Sequence, residues 1–402
     1  MLKFNFDPTQ MSIALTRLAA VPHVGSGKSS VELKIEMDNK LVVNRASRTE
    51  SLSFIIPITD VEQGGMSSVV VEEDRFARAV AHGMTKDHSV EFKIDPSTSS
   101  AVVSQGKSKK FKIPTLRDTL HQRPDLQVVQ GPHTCEWNLE EQDIASFFRS
   151  LGFASVFMAD KIVGKGKFSG IVLYSNRAVA CSYDGVSEAP IKIPFPKPIG
   201  IPISTYKILS LFNKEKVMSV VMNAEDPVER GIRSVLFDGV TDGDVAWGFK
   251  FEMMEPSLSF LGHDLSWGPS SVSDSPDFVA DFKVENLFDA VKSVSSILEK
   301  NEAHLEITKI LPQGIALRAV DSSGSAESTV NVAIMNPHRI PDTLPGPIRL
   351  SRTFLSEILY EGSSGTVTLT FDTKHPHQLG VCHKESMYSS VLAMVSMGNK
   401  GN

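Results

Sequence analysis

Five consecutive stretches, MSSVVV (66–71), EEDRFARAVAHGM (72–84), SVEFKID (89–95), AVVSQG (101–106) and KSKKFKIPTL (107–116), decide how this chain folds. The apolar spacing changes from helical to alternating near His88, which predicts a short strand, an amphipathic helix and a run of hairpin strands. On the helix Phe76, Val80 and Met84 recur every four residues and make one apolar stripe. At about 100° per residue, Arg75, Arg78 and His82 fall on nearly the opposite face. One face is built for a sheet, the other for water or for something negatively charged.

Working outward, the length of 402 residues suits two or three domains. Hydrophobic content of 41% with 22% charged residues is that of a folded globular protein. A formal net charge of −6 argues against a broad basic surface for nucleic acid and leaves room for a local basic lining. Cys135, Cys181 and Cys382 are odd in number and far apart, so neither a disulfide framework nor a zinc spacing is present. The N-terminal MLKFNFDPTQ lacks the order of a signal peptide, and no apolar run is long enough to span a membrane. A cytoplasmic location is the expectation.

The order strand, helix, strands recurs along the whole chain. Asp7-Pro8 is a helix entry after Phe4 and Phe6, and Asp38-Asn39 turns a hairpin between two alternating strands. Phe4-x-Phe6 before the first helix is echoed by Trp137-x-Leu139 and Phe282-x-Val284. Val71 with Phe76 and Val80 is echoed by Ile203 with Ile208 and Phe212, and by Leu350 with Leu355 and Leu359. Both sets of anchors keep nearly the same spacing, so three domains of two half-units each is the economical reading. Gly131-Pro132 and a Ser-, Pro- and Gly-rich run punctuate them, giving domains at 1–131, 132–256 and 277–402 with a linker at 257–276.

This pattern, closing on Phe111-Lys112-Ile113-Pro114-Thr115-Leu116, resembles the bacterial-type DNA polymerase sliding clamp, the polymerase III beta subunit family. The resemblance implies an α+β fold of three tandem clamp domains, with two helices from each lining the inside of a ring. Two chains would encircle double-stranded DNA without reading its sequence. The helices would start near Asp7, Glu72, Glu140, Ser204, Glu285 and Ser351, with Arg17, Arg75, Arg78, Arg149, Lys207, Lys292 and Arg352 facing DNA. Glu141, Asp143 and Asp289 dilute that set. The ring would close where Phe111 and Ile113 meet Val294, Ile297 and Leu298 of another copy.

The resemblance also implies a cleft that takes short linear motifs of a DNA polymerase and a clamp loader. It would be built from Phe168, Gly170, Tyr183, Gly185, Val186, Ser187, Pro256, Gln378, Leu392 and Met394. Where the family usually has Thr-Asp-Gly-His-Arg, this chain has Tyr183-Asp184-Gly185-Val186-Ser187, a departure of the kind a divergent, phage-encoded clamp would show. Its polar wall is therefore altered.

Other chemistry is weakly supported. Gly25-Ser26-Gly27-Lys28-Ser29 has Pro22 where a phosphate loop needs glycine, and it lies between a helix and a strand in the wrong order. His375, His377, Cys382 and His383 surround a Pro376 turn without a second ligand pair, which favours a surface hairpin over a metal site. No catalytic motif, cofactor or metal is called for. The competing expectation is a repeated-domain, β-rich structural or assembly protein without DNA linkage.

Overall fold

The computed structural model describes the chain apart from residues 23–27, 48, 95–98, 117–133, 159–169, 183–184, 195–197, 216, 224–233, 242, 253–275, 298–303, 312, 321–326, 345, 363, 374–377, 394 and 397–402. Six helices among the described residues begin within one position of the expected starts: α1 Pro8–Leu18, α2 Glu73–Arg78, α3 Glu141–Ala154, α4 Ile203–Leu209, α5 Val284–Ser295 and α6 Arg352–Gly362. A strand feeds directly into each. The chain forms two compact units, residues 1–145 with 204–253, and residues 146–203 with 254–402.

In the first unit twelve strands make one sheet. The alternating stretches appear as Ser68–Glu72, Val90–Ile94, Ser100–Gln105 and Lys109–Leu116. Ser30–Glu36 and Lys40–Ala46 form the expected hairpin, with Asp38 and Asn39 both at positive φ in its turn. Glu50–Gln63 is a long strand of 14 residues. It serves several partners, pairing with Lys40–Ala46 and Ala246–Glu252 along its first half and with Leu2–Phe6 along its second.

Phe76, Val80 and Met84 are buried, and Arg75, Arg78 and His82 are exposed, as the helical spacing requires. The regular helix stops at Arg78, however, and Ala79–Gly83 follows as a π turn. Phe4, Phe6, Phe76 and Phe92 form a connected set of rings beneath α2, with Phe4 stacked on Phe92 at 4.9 Å. Side chains on the sheet fix the helix starts. Asp7 caps α1 by accepting from the Thr9 and Gln10 amides. Glu73, at the start of α2, is held by Arg45 and Ser29. Glu50 accepts from the hydroxyls of Ser204 and Thr205, both at 2.7 Å, at the start of α4.

In the second unit nine strands form one sheet, in the order Ile199–Pro202, Gly170–Leu173, Arg177–Cys181, Gly185–Pro190, Ser389–Ala393, Gln378–His383, Thr366–Phe371, Phe278–Lys283 and Asn336–Arg339. Five more make a second sheet. A large apolar core, including Phe157, Phe282, Val291, Leu355 and Leu392, lies under α5 and α6. The twelve-stranded and the nine-stranded sheets each cross an expected domain boundary. Ala246–Glu252 joins Glu50–Gln63 in the first unit, and Gly185–Pro190 joins Ser389–Ala393 in the second.

Candidate functional site

Four of the stretches expected in the cleft are brought into one sheet of the second unit. Gly185 stands opposite Leu392, Val186 opposite Val391, and Leu379 opposite Leu392, while Gly170 pairs with Pro202 two strands away from Gly185–Pro190. Successive side chains then point to opposite faces. Gly185, Ser187 and Leu392 face the interior. A Cβ at Gly185 would meet the Phe157 ring at 2.6 Å, and Ser187 donates to the Ala154 carbonyl at 2.6 Å. Leu392 is fully buried in the main core.

The opposite face carries a separate apolar cluster of Val179, Val186 and Val391, with Tyr174 and Cys181 packed against it. Its rim is polar. The Arg177 guanidinium lies 5.1 Å over the Tyr174 ring and pairs with Glu188 at 3.3 Å. Burial pushes up both the Cys181 thiol and the Tyr174 phenol. This corrects the expectation for Leu392, because its side chain is in the core and the one on the opposite face of that strand is Val391. The alternation in Val391-Leu392 held the signal, but choosing its phase needed the register with Gly185–Pro190. Gln378 is half-buried opposite Ala393. Phe168, Tyr183, Pro256 and Met394 lie outside the described residues, as do Gly25 to Gly27, His375 and His377.

Of the basic residues expected to face DNA, Arg75, Arg78, Arg149, Lys207 and Lys292 are exposed on their helices and Arg352 is half-buried. Arg75 pairs with Glu72 at 3.3 Å, Arg78 donates to the Asp74 carbonyl at 3.1 Å, and Lys292 sits 4.1 Å over the Phe288 ring. Arg17 is a correction. It pairs with Glu215 at 2.7 Å and lies 4.9 Å over the Phe212 ring, so its guanidinium is committed within the fold. Glu141, Asp143, Glu285 and Asp289 are exposed on α3 and α5. The helical cations are therefore sparse and interspersed with acids.

At the expected seam, Lys109–Leu116 pairs with Ser100–Gln105 on one side, but on the other only Thr115 and Leu116 pair, with Val71 and Val70. The edge from Lys109 to Ile113 has no strand partner among the described residues. Phe111 is 36% exposed and rests on Gly83, where a Cβ would meet its ring at 2.5 Å. Ile113 and Val294 are corrections, since both are fully buried in the chain's own core. Ile297 is half-buried at the end of α5. Leu298 lies outside the described residues.

His383 is a core residue. Its Nε2 donates to the Ile358 carbonyl at 3.2 Å and its ring meets Phe153 edge-on. Among the described residues, no group of three or more His, Cys, Asp and Glu side chains could hold a metal. No described helix is long and apolar enough to cross a membrane.

These geometries belong to a known class of fold. Solved structures of bacterial sliding clamps match the chain over nearly its whole length. The DNA polymerase sliding clamp from Bacillus subtilis matches with a TM-score of 0.76 at 12% identity, covering 99% of this chain and 100% of that one. The DNA polymerase III beta subunit from Thermotoga maritima gives 0.74 at 14%, with the same coverage. A Pseudomonas aeruginosa sliding clamp bound to griselimycin gives 0.75 at 14%, covering 98% and 100%. No family model matches the sequence, and no curated protein matches it by sequence. The chain has the α+β fold of the DNA polymerase III beta sliding clamp, in a sequence far diverged from those clamps.

Proposed function

We propose that this chain is a DNA sliding clamp, a non-catalytic processivity factor that encircles duplex DNA and tethers a replicative polymerase in the cytoplasm. The observation that carries this is the clamp fold over 99% of the chain. In this reading the six strand-helix modules group into three domains, at 1–131, 132–256 and 277–402, and two chains close a ring around the helices. Arg75, Arg78, Arg149, Lys207, Lys292 and Arg352 attract phosphate without reading bases. Their sparseness suits sliding, because persistence then comes from topology and each contact can stay weak.

The ring closes at the open edge of Lys109–Leu116, with Phe111 as its exposed apolar contact and Ile297 opposite. An edge strand of this kind needs a partner. The cluster of Val179, Val186 and Val391, rimmed by Tyr174, Arg177 and Glu188, receives the apolar anchors of polymerase and clamp-loader peptides.

The test is retention on DNA after loading. The protein should stay on a nicked circle and leave once the circle is cut to a linear form; equal retention on both would overturn topological linkage.

A further inference from the structure

We propose that the solvent face of the three-stranded hairpin sheet in the first unit is a second nucleic-acid contact. It takes the sugar-phosphate backbone of duplex DNA through Lys93, Lys107, Lys110 and Lys112. It goes beyond the ring, since it lies on a sheet face and needs no closed circle.

The alternation of this sheet separates two surfaces. Val90, Phe92, Ala101 and Val103 go to the core, and the intervening residues line an open groove with the Gly106-Lys107 turn at one end. Lys93 and Lys112 both stand opposite Val102, and Glu91 and Lys110 both stand opposite Ser104. Strand geometry then puts Lys93 and Lys112 about 10 Å apart, and Lys110 about 7 Å from Lys112. Like charges gathered on one sheet face are unfavourable without a counter-charge.

The fold provides little of one. Glu91 is the sole carboxylate among the described lining residues. It is already engaged by Lys3 at 3.5 Å and by the Ser104 hydroxyl, which donates at 3.4 Å. None of the four lysines has a carboxylate within ion-pair distance among the described residues. This local excess of positive charge stands out on a chain of net charge −6.

The kind of anion follows from what the groove contains. Lysine ammoniums are mobile point charges that suit phosphate oxygens. Phe111 alternates to the other face and rests on Gly83, so no aromatic platform is present for unpaired bases. A duplex backbone, contacted without base readout, fits better than a single strand.

The experiment measures binding of a short, blunt-ended linear duplex by fluorescence anisotropy between 50 and 200 mM salt. Four neutralised phosphates give a log-log salt slope of about −3.6. Combining Lys93→Glu, Lys110→Glu and Lys112→Glu should weaken binding at least tenfold, and the three Lys→Gln changes should weaken it in the same direction. Lys40→Glu with Lys309→Glu, two exposed lysines outside both the groove and the helices, should leave this linear-duplex affinity unchanged. Melting curves and light scattering on the same variants should report an unaltered fold and assembly mass. Undiminished binding by both triple variants would overturn the proposal. So would a loss of assembly mass, which would assign the lysines to a contact between copies, or tighter binding of a polyglutamate peptide than of DNA.

Discussion

Arg17, in the last turn of α1, pairs at 2.7 Å with the carboxylate of Glu215, a residue only 2% exposed. Removing one partner of such a pair leaves an uncompensated buried charge. Arg17→Ala should therefore cost about 2 to 4 kcal/mol of stability, measured by urea unfolding. Loading on DNA at permissive temperature should be little changed. A variant of normal stability that loads poorly would return Arg17 to the DNA-facing set.

Gly185 gives a prediction for the proposed peptide site. A Cβ there would drive into the Val391 carbonyl oxygen and the Phe157 ring. Backbone cannot yield as a flexible side chain does, so Gly185→Ala should cost about 1 to 3 kcal/mol and should weaken binding of a polymerase-derived peptide. Calorimetric titration checks it, with Val186→Ala as the milder comparison that thins the apolar cluster without forcing the strands apart.

His383 predicts an acid limit. Burial pushes its imidazole down from the usual 6.5 to about 4. The folded state refuses a proton that the unfolded chain accepts, so the full stability is present above pH 6.5 and falls as pH drops toward 4. From pH 6.5 to 5 the loss should be about 2 kcal/mol, visible as a lowered melting temperature. His383→Leu should flatten that interval, and an unchanged pH profile in the variant would assign the acid sensitivity elsewhere. Gly362→Ala should destabilise independently, since a Cβ at that position would run into the His383 ring.

Asp281 sets a second, lower limit. Burial alone would raise its carboxyl, but hydrogen bonds from Lys384 at 2.6 Å, Thr368 at 2.7 Å, His338 at 2.9 Å and Asn336 at 3.4 Å outweigh it and hold it at about 2. Its contribution is present above the ordinary carboxylate range near 3.8 and is lost as pH falls through about 2. Asp281→Asn should cost roughly 2 kcal/mol at neutral pH and should remove that part of the acid transition. Urea titrations at pH 7 and pH 3 read both effects.

Much of the fold is legible in the residues because period is a local property. The apolar stripe of Phe76, Val80 and Met84, the alternation of Val90, Phe92 and Ile94, the cap at Asp7 and the turn at Asp38-Asn39 each follow from neighbours a few positions away. The open edge at Lys109–Ile113 was not legible in this way, since it shows only in the pairing of that strand with its neighbours.

Sequence by itself determined the succession of strand-helix modules and the helix faces, since both depend on spacing along one chain. Tertiary structure alone decided which side of a paired strand faces the core and which helical cations are paired within the fold. Val391 rather than Leu392 joins Val186 because of register with a strand two hundred residues away. Likewise Arg17 is consumed by Glu215, and Ile113 and Val294 by the core, because those partners meet only after distant segments pack. Periodicity sets direction within an element; pairing between elements sets what that direction meets.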